Sequence, residues 1–126
     1  MDSEPQVEAY MTRTVTTVSP TDTVAAVREQ IGGDDGHNGF PVARDGRVEG
    51  FVTGRDLFDA DPEATVADVM SEDPIVADPT MTITDAARVI VRSGIQKLPV
   101  VDDGELVGIL SNTDVIRSQI ERATPE

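Results

Sequence analysis

The chain has no cysteine and no tryptophan, a single lysine (Lys97), a single histidine (His37) and an aromatic content of 3%. Without cysteine there is neither a disulfide framework nor a thiolate metal site. No apolar run approaches the roughly 18 residues of a membrane span. The acidic N-terminus lacks the basic start and apolar stretch of a signal peptide. A soluble, cytoplasmic protein with no membrane partner is expected. Cations are scarce too: 10 basic residues stand against 24 acidic ones, a net charge of −14. Such a surface repels nucleic acid and anionic lipid. The acids are spread along the chain, as in a solvated shell, and are not clustered for one basic partner. Abundant Asp and Thr with almost no lysine suggest a halophile, expected to be archaeal, whose cytoplasmic salt screens the self-repulsion.

What the chain does have, it has twice. Val7-Glu8-Ala9-Tyr10-Met11 is echoed by Val66-Ala67-Asp68-Val69-Met70, and Phe40-Pro41-Val42 by Leu98-Pro99-Val100. The stretch from Asp45-Gly46 through Thr53-Gly54-Arg55-Asp56 runs parallel to that from Asp103-Gly104 through Ser111-Asn112-Thr113-Asp114. Partners are 59 residues apart up to Ile31/Ile90 and 58 apart from Pro41/Pro99 onward, so the first copy carries one extra loop residue. A repeat of this length means that each copy is one structural unit, and a pseudo-twofold pair is expected, with ligand sites in twos near its seam. Neither copy alone would bury enough apolar surface to be comfortable.

Each copy reads alike. Thr16-Thr17-Val18 and Ile75-Val76-Ala77 are short β-prone segments closed by proline turns at Pro20 and Pro79. Val24, Val27 and Ile31, and likewise Ile83, Ala86 and Ile90, form one helical apolar stripe per copy. Thr82 with Asp85 resembles a capping box, and Gly32-Gly33 and Ser93-Gly94 close the helices. Phe40–Ala43 and Leu98–Val101 are strands that begin near proline. Asp45-Gly46 and Asp103-Gly104 are hairpin turns. The return strands Val48–Val52 and Leu106–Leu110 each carry a glycine, Gly50 or Gly108, where a side chain would crowd a neighbouring backbone. Asp56 and Asp114 then open a second helix. The segment from Asp59 to Ala64, with Pro62, is a connector, and the chain from Gln119 onward is expected to fray.

Gly94-Ile95-Gln96-Lys97-Leu98-Pro99-Val100-Val101-Asp102 and Gly108-Ile109-Leu110-Ser111-Asn112-Thr113-Asp114 resemble the two signature strings of the cystathionine-β-synthase (CBS) domain. Both strings occur twice, in order and at matched spacing, over nearly the whole chain. The resemblance is to a tandem pair of such domains, a Bateman module. It implies an α/β (α+β) fold of two β-α-β-β-α repeats packed by a pseudo-twofold: residues 7–58, a linker at 59–65, and residues 66–120. It also implies a regulatory module that binds adenosyl compounds in clefts between the copies, and commonly a homodimer.

Thr53-x-x-Asp56 and Ser111-x-x-Asp114 sit at strand-to-helix junctions. A Ser or Thr followed three residues later by an acid is simply what a helix start wants, because the two side chains satisfy orphan N–H groups. The same junction also suits an anion, through free N–H groups and the helix dipole. A carboxylate one turn along can accept ribose hydroxyls, as in dinucleotide folds. In the family the hydroxyl contacts phosphate and the aspartate takes the ribose. The resemblance further implies adenine-pocket positions at Thr12, Thr16, Asn38 and Gly39 for one site and at Ser71, Ile75, Gln96 and Lys97 for the other. Each pocket would face the Ser/Thr-x-x-Asp string of the opposite copy. Lys97 stands where relatives place a basic residue against phosphate, although an exposed lysine is ordinarily only solvated. The first copy has Gly39 there, so Arg55 is the candidate substitute. Thr113, inside the second string, joins the candidate nucleotide contacts.

Other constellations are weak. His37 is a lone loop histidine, and Asp34-Asp35 and Asp102-Asp103 are turn acids without the further ligands that magnesium needs. No Ser-His-Asp, His-Glu-x-x-His or Gly-x-x-x-x-Gly-Lys-Ser/Thr arrangement is present. The chain is expected to be no enzyme and to need no cofactor. It should sense AMP, ADP or ATP, dimerise with itself and act on an effector protein that the sequence does not identify. A purely structural or interaction dimer with empty clefts, and a sensor of S-adenosylmethionine, NAD or a nucleic-acid fragment, are the alternatives.

Overall fold

The structure, a computed structural model, describes residues 4–31, 39–95 and 97–123. In chain order these form α1 (Val7–Tyr10), α2 (Val24–Ile31), β1 (Gly39–Arg44), β2 (Arg47–Thr53), α3 (Gly54–Phe58), α4 (Val66–Val69), α5 (Ile83–Ser93), β3 (Lys97–Asp102), β4 (Glu105–Ser111) and α6 (Asn112–Ala123). The expected Gly32-Gly33 helix stop, the acidic loop through Asn38, His37 and Gln96 all lie outside the described residues.

Two compact units make up the chain, and their phase differs from that of the sequence copies. One unit is contiguous, Thr16–Pro74; the other joins Met1–Val15 to Ile75–Glu126. The lead-in of each copy is thus built into the body of the other. In the discontinuous unit Val7 N–H donates to the Met81 carbonyl at 2.8 Å and Ile83 N–H to the Pro5 carbonyl at 3.0 Å. In the contiguous unit Val66 N–H donates to Asp22 at 2.8 Å and Val24 N–H to Ala64 at 2.9 Å. One fully buried valine per lead-in, Val7 or Val66, anchors it in the core.

Each unit has its own core. Val18, Val24, Val27, Val42, Val52, Leu57 and Val66 form one. Val7, Ala77, Ile83, Ala86, Ile90, Leu98, Val100 and Leu110 form the other. The helical stripes read from the sequence face inward: Val24 and Val27 on α2, and Ile83, Ala86 and Ile90 on α5, are buried. Helix α5 starts with Thr82 accepting from Asp85 N–H and ends at Gly94 in the left-handed region, φ 70°. Only glycine takes that conformation without strain.

The β-prone segments at 16–18 and 75–77 do not become strands. Each contributes a single parallel bridge, Val18 to Val42 and Ala77 to Val100. The reason is proline on both sides. Val18 N–H donates to Pro41 and its carbonyl accepts from Ala43 N–H; Ala77 does the same with Pro99 and Val101. The next rung one way would need an N–H from Pro20 or Pro79, and the next rung the other way one from Pro41 or Pro99. None of these residues has one to give. In the same turn, Asp78 accepts from Thr80 N–H at 2.9 Å and from the Thr80 hydroxyl at 2.7 Å. Those two bonds, the backbone one first, lower its pKa. Their stabilisation is present at neutral pH and is lost as pH falls through the acid range.

The hairpins follow the sequence closely. β1 pairs antiparallel with β2, and β3 with β4. Asp45-Gly46 and Asp103-Gly104 all have positive φ (53° and 82°, 53° and 85°), as the tight hairpin turn requires. A bulge follows at matched places, where Val42/Ala43 face Gly50/Val48 and Val100/Val101 face Gly108/Leu106. Gly50 and Gly108 are where the backbone is approached. A Cβ on Gly50 would lie 2.6 Å from the Ser71 carbonyl oxygen, and one on Gly108 would lie 3.0 Å from that of Thr12.

The copies differ in their last helix. α3 ends after one turn, whereas α6 runs to Ala123 without the fraying expected from Gln119. Pro62 lies just past α3, where a helix cannot continue, and Arg28 of α2 closes the helix end. Its guanidinium donates to the Leu57, Phe58 and Ala60 carbonyls, capping the end of α3. At the matching place α5 carries Ala87, which reaches nothing, and α6 continues.

Candidate functional site

In the discontinuous unit, β4 delivers Ser111 to the start of α6, and a reciprocal cap forms there. Ser111 N–H donates to Asp114 Oδ2 at 2.9 Å, and Asp114 N–H to Ser111 Oγ at 3.2 Å. The Ser111 hydroxyl also donates to Oδ2, at 3.1 Å. Asp114 is one of two buried polar residues among those described, 4% exposed. A buried carboxylate needs partners, and here it has them: Arg117 Nη2 stands 3.3 Å from Oδ1 and the Thr12 hydroxyl 3.5 Å from Oδ2. Thr12 is held there by two backbone bonds with Ile109, at 2.8 and 2.9 Å. Lys97 lies opposite Ser111 in the β3–β4 register. Thr113 and Ile75 are exposed.

The contiguous unit repeats the turn with fewer parts. Thr53 N–H donates to Asp56 Oδ2 at 3.0 Å, and Asp56 N–H to the Thr53 hydroxyl at 3.2 Å. Gly39 lies opposite Thr53, at the place Lys97 holds in the other unit. The Phe51 ring explains the glycine. A Cβ on Gly39 would stand 2.3 Å from its Cε1, whereas β4 has Ile109 at the position of Phe51. Ser71 is tied to Phe51 by two backbone bonds, at 2.9 and 3.1 Å. Arg55 and Thr16 are exposed.

The structure therefore gathers Thr12, Lys97, Ser111 and Asp114 in one unit, and Gly39, Thr53, Asp56 and Ser71 in the other. Asn38 and Gln96 fall outside the described residues. Sequence reasoning missed Arg117 and Tyr10. The signal was available in the Asp114-x-x-Arg117 spacing, which places opposite charges on one helix face. No cluster of three His or acidic side chains among the described residues could hold a metal. No described helix is long and apolar enough to cross a membrane. The chemistry on offer is recognition: hydroxyl and N–H donors at a helix start, beside a buried acceptor for hydroxyl groups.

Comparison with known proteins decides the family. A family model for the CBS domain matches residues 7–63 and again residues 66–121. The chain belongs to the CBS-domain family. The two matches make it a CBS pair. It is 44% identical over 124 residues to the uncharacterized protein MJ0188 of Methanocaldococcus jannaschii, with 96% of the chain covered. It spans 46% of that relative's length and less of the next ones it matches. Among solved CBS pairs, it is similar to CBSX2 of Arabidopsis thaliana in complex with AMP, with a TM-score of 0.85 and 28% identity over 94% of this chain and 98% of that one. It is also similar to the cytosolic domain of the Mg2+ channel MgtE in complex with ATP, with a TM-score of 0.80 and 28% identity over 89% of this chain and 48% of that one.

Proposed function

We propose that this CBS pair is a non-enzymatic regulatory module that binds adenosine phosphates, foremost at the Ser111–Asp114 turn and less well at the Thr53–Asp56 turn. The observation that carries the reading is the buried Asp114 carboxylate beside a hydroxyl at the start of a long helix. CBSX2 with AMP and MgtE with ATP support the choice of ligand class. A ribose diol would give its protons to Asp114 and displace the Thr12 hydroxyl, whose 3.5 Å contact is the weakest there. The Ser111 hydroxyl would turn its proton from Asp114 to the phosphate, which the positive end of α6 also favours. Lys97 and Arg55 are the cations assigned to phosphate, one per turn. Occupancy would be read by an effector protein.

The test is calorimetric titration of the full chain in high salt with AMP, ATP, adenosine and S-adenosylmethionine. Affinity in the micromolar to millimolar range for an adenosine phosphate, above that for adenosine, is expected. Tighter binding of S-adenosylmethionine would change the ligand. A second reading has an observation of its own: both turns already satisfy their polar atoms as helix caps. Under it the chain is an interaction dimer, and no adenosyl compound produces heat.

A homodimer belongs to either reading. On α5 and α6, Val91, Ile116 and Ile120 are 79%, 58% and 61% exposed, and apolar side chains so grouped mark an association surface. Self-repulsion at −14 per chain opposes association when salt is low. Sedimentation should give a dimer at molar salt that dissociates as salt is removed, and Ile116→Asp should give a monomer throughout. A wild-type monomer at every salt concentration would remove the dimer.

A further inference from the structure

Arg117 lies one helical turn beyond Asp114 and plays no part in the site as read from the sequence. We propose that Arg117 positions the Asp114 carboxylate for a ribose diol, with Tyr10 as its anchor, so that the second-copy turn is preorganised and the first-copy turn is not. This rests on the adenosine-phosphate reading.

The geometry is a chain of holds within one unit. Ser111 N–H fixes Asp114 Oδ2 at 2.9 Å, and Arg117 Nη2 fixes Oδ1 at 3.3 Å, so both oxygens are set and the carboxylate plane cannot turn freely. Arg117 is itself held twice by Tyr10. Its Nη2 donates to the Tyr10 carbonyl at 3.0 Å, and its guanidinium carbon lies 5.8 Å from the centre of the Tyr10 ring, within cation–π range. Tyr10 in turn donates its hydroxyl proton to Glu121 at 3.0 Å, which ties α1 to α6.

An ordinary helical ion pair looks different. Arg88 and Asp85 are also three residues apart, at 3.2 Å, but their side chains are 64% and 60% exposed. Such a pair contributes little and holds nothing in place. The side chain of Asp114 is 5% exposed and that of Arg117 52%, so the guanidinium reaches in from solvent to a carboxylate that has nowhere to relax. A carboxylate held at both oxygens loses less freedom when a ligand arrives.

The first copy lacks both parts. Asp59 stands where the second copy has Arg117, and Val69 takes the place of Tyr10. Asp56, among the described residues, is bonded only to Thr53.

The test is the ratio of affinities for AMP and 2′,3′-dideoxy-AMP, titrated in high salt into the full chain carrying Asp56→Ala to silence the first-copy turn. Thermal unfolding of each variant is followed alongside. In that background AMP should bind tenfold or more tighter than the dideoxy analogue. Arg117→Ala should cut the ratio at least threefold, Arg117→Lys should recover part of it, and Arg88→Ala should leave it unchanged. A merely structural arginine would lower the melting temperature and leave the ratio intact. That outcome, with the ratio still abolished by Asp114→Ala, overturns the positioning role and spares the adenosine reading. If the background binds no AMP while the wild type does, the second-copy turn is not the site and the proposal falls with it. If the wild type binds no adenosine phosphate, both fall.

Discussion

Replacing Asp114 by alanine should weaken AMP binding tenfold or more. Hydrogen bonds to a charged group are worth about 1.5–3 kcal/mol, and each 1.4 kcal/mol is about a factor of ten in affinity. The carboxylate is also a structural part. It accepts the Ser111 N–H and receives Arg117, so its removal leaves a helix start short of one acceptor and a cation without its partner. Loss of such a cap costs about 0.5–2 kcal/mol of stability. Affinity must therefore be measured well below the variant's melting temperature, where the protein is folded. Asp114→Asn separates the two roles. It keeps the shape and one acceptor for the cap but offers a ribose only one oxygen, so it should unfold near the wild-type temperature and still lose affinity. Undiminished binding of every adenosine ligand by Asp114→Ala would refute the ribose assignment.

Alanine at Gly50 should destabilise the protein more than alanine at Gly108. A Cβ at Gly50 would stand 2.5 Å from Met70 Sδ and 2.6 Å from the Ser71 carbonyl oxygen; at Gly108 the distances are 2.6 Å to Met11 Sδ and 3.0 Å to the Thr12 oxygen. The methionines can swing aside, being flexible and soft. The carbonyls cannot, since each belongs to a backbone pair closed at both ends, Ser71 with Phe51 and Thr12 with Ile109. Overpacking of this kind costs about 1–3 kcal/mol, and Gly50→Ala should lie at the upper end. Thermal unfolding in constant high salt checks the order. Equal melting temperatures for both variants and wild type would mean that the lead-ins are not held where the structure puts them.

Local structure was legible wherever one residue type has one physical use. Asp45-Gly46 and Asp103-Gly104 announced their turns because few other pairs accept positive φ twice in succession. Gly50, Gly108 and Gly94 were read correctly for the same reason. Thr82-x-x-Asp85 forms only half of the capping box it resembles: Thr82 accepts from Asp85 N–H, while the Asp85 carboxylate turns to Arg88. Pairing between distant segments was not legible. Periodicity shows that Val7 and Val66 have an apolar face, but nothing in it says that each serves the other copy's core. The single-rung bridges at Val18 and Ala77 were recoverable in principle, from the four prolines that flank them, but only with the partner strand known. At the candidate site the Ser111–Asp114 pair was visible as a motif. For Arg117 the sequence offers only the three-residue charge spacing, because its role depends on a tyrosine far away in sequence, and the glycine at 39 makes sense only beside the Phe51 ring.

The exchanged lead-ins set an order for the chain's birth. Thr16–Pro74 is contiguous, so that unit has all its parts as soon as Pro74 has left the ribosome. The other unit brings Val7 to a core supplied by residues beyond Pro74. Until Ile83, Leu98 and Leu110 emerge, α1 lacks the core it joins, and its capture then closes a loop of the intervening chain. The entropic cost of that closure grows only slowly with loop length, but non-local contacts of this kind slow the search. The contiguous unit is expected to fold first and fast, with capture of α1 as the late step. Domains completed earlier in synthesis generally fold first, and here the contiguous unit is the one completed earlier.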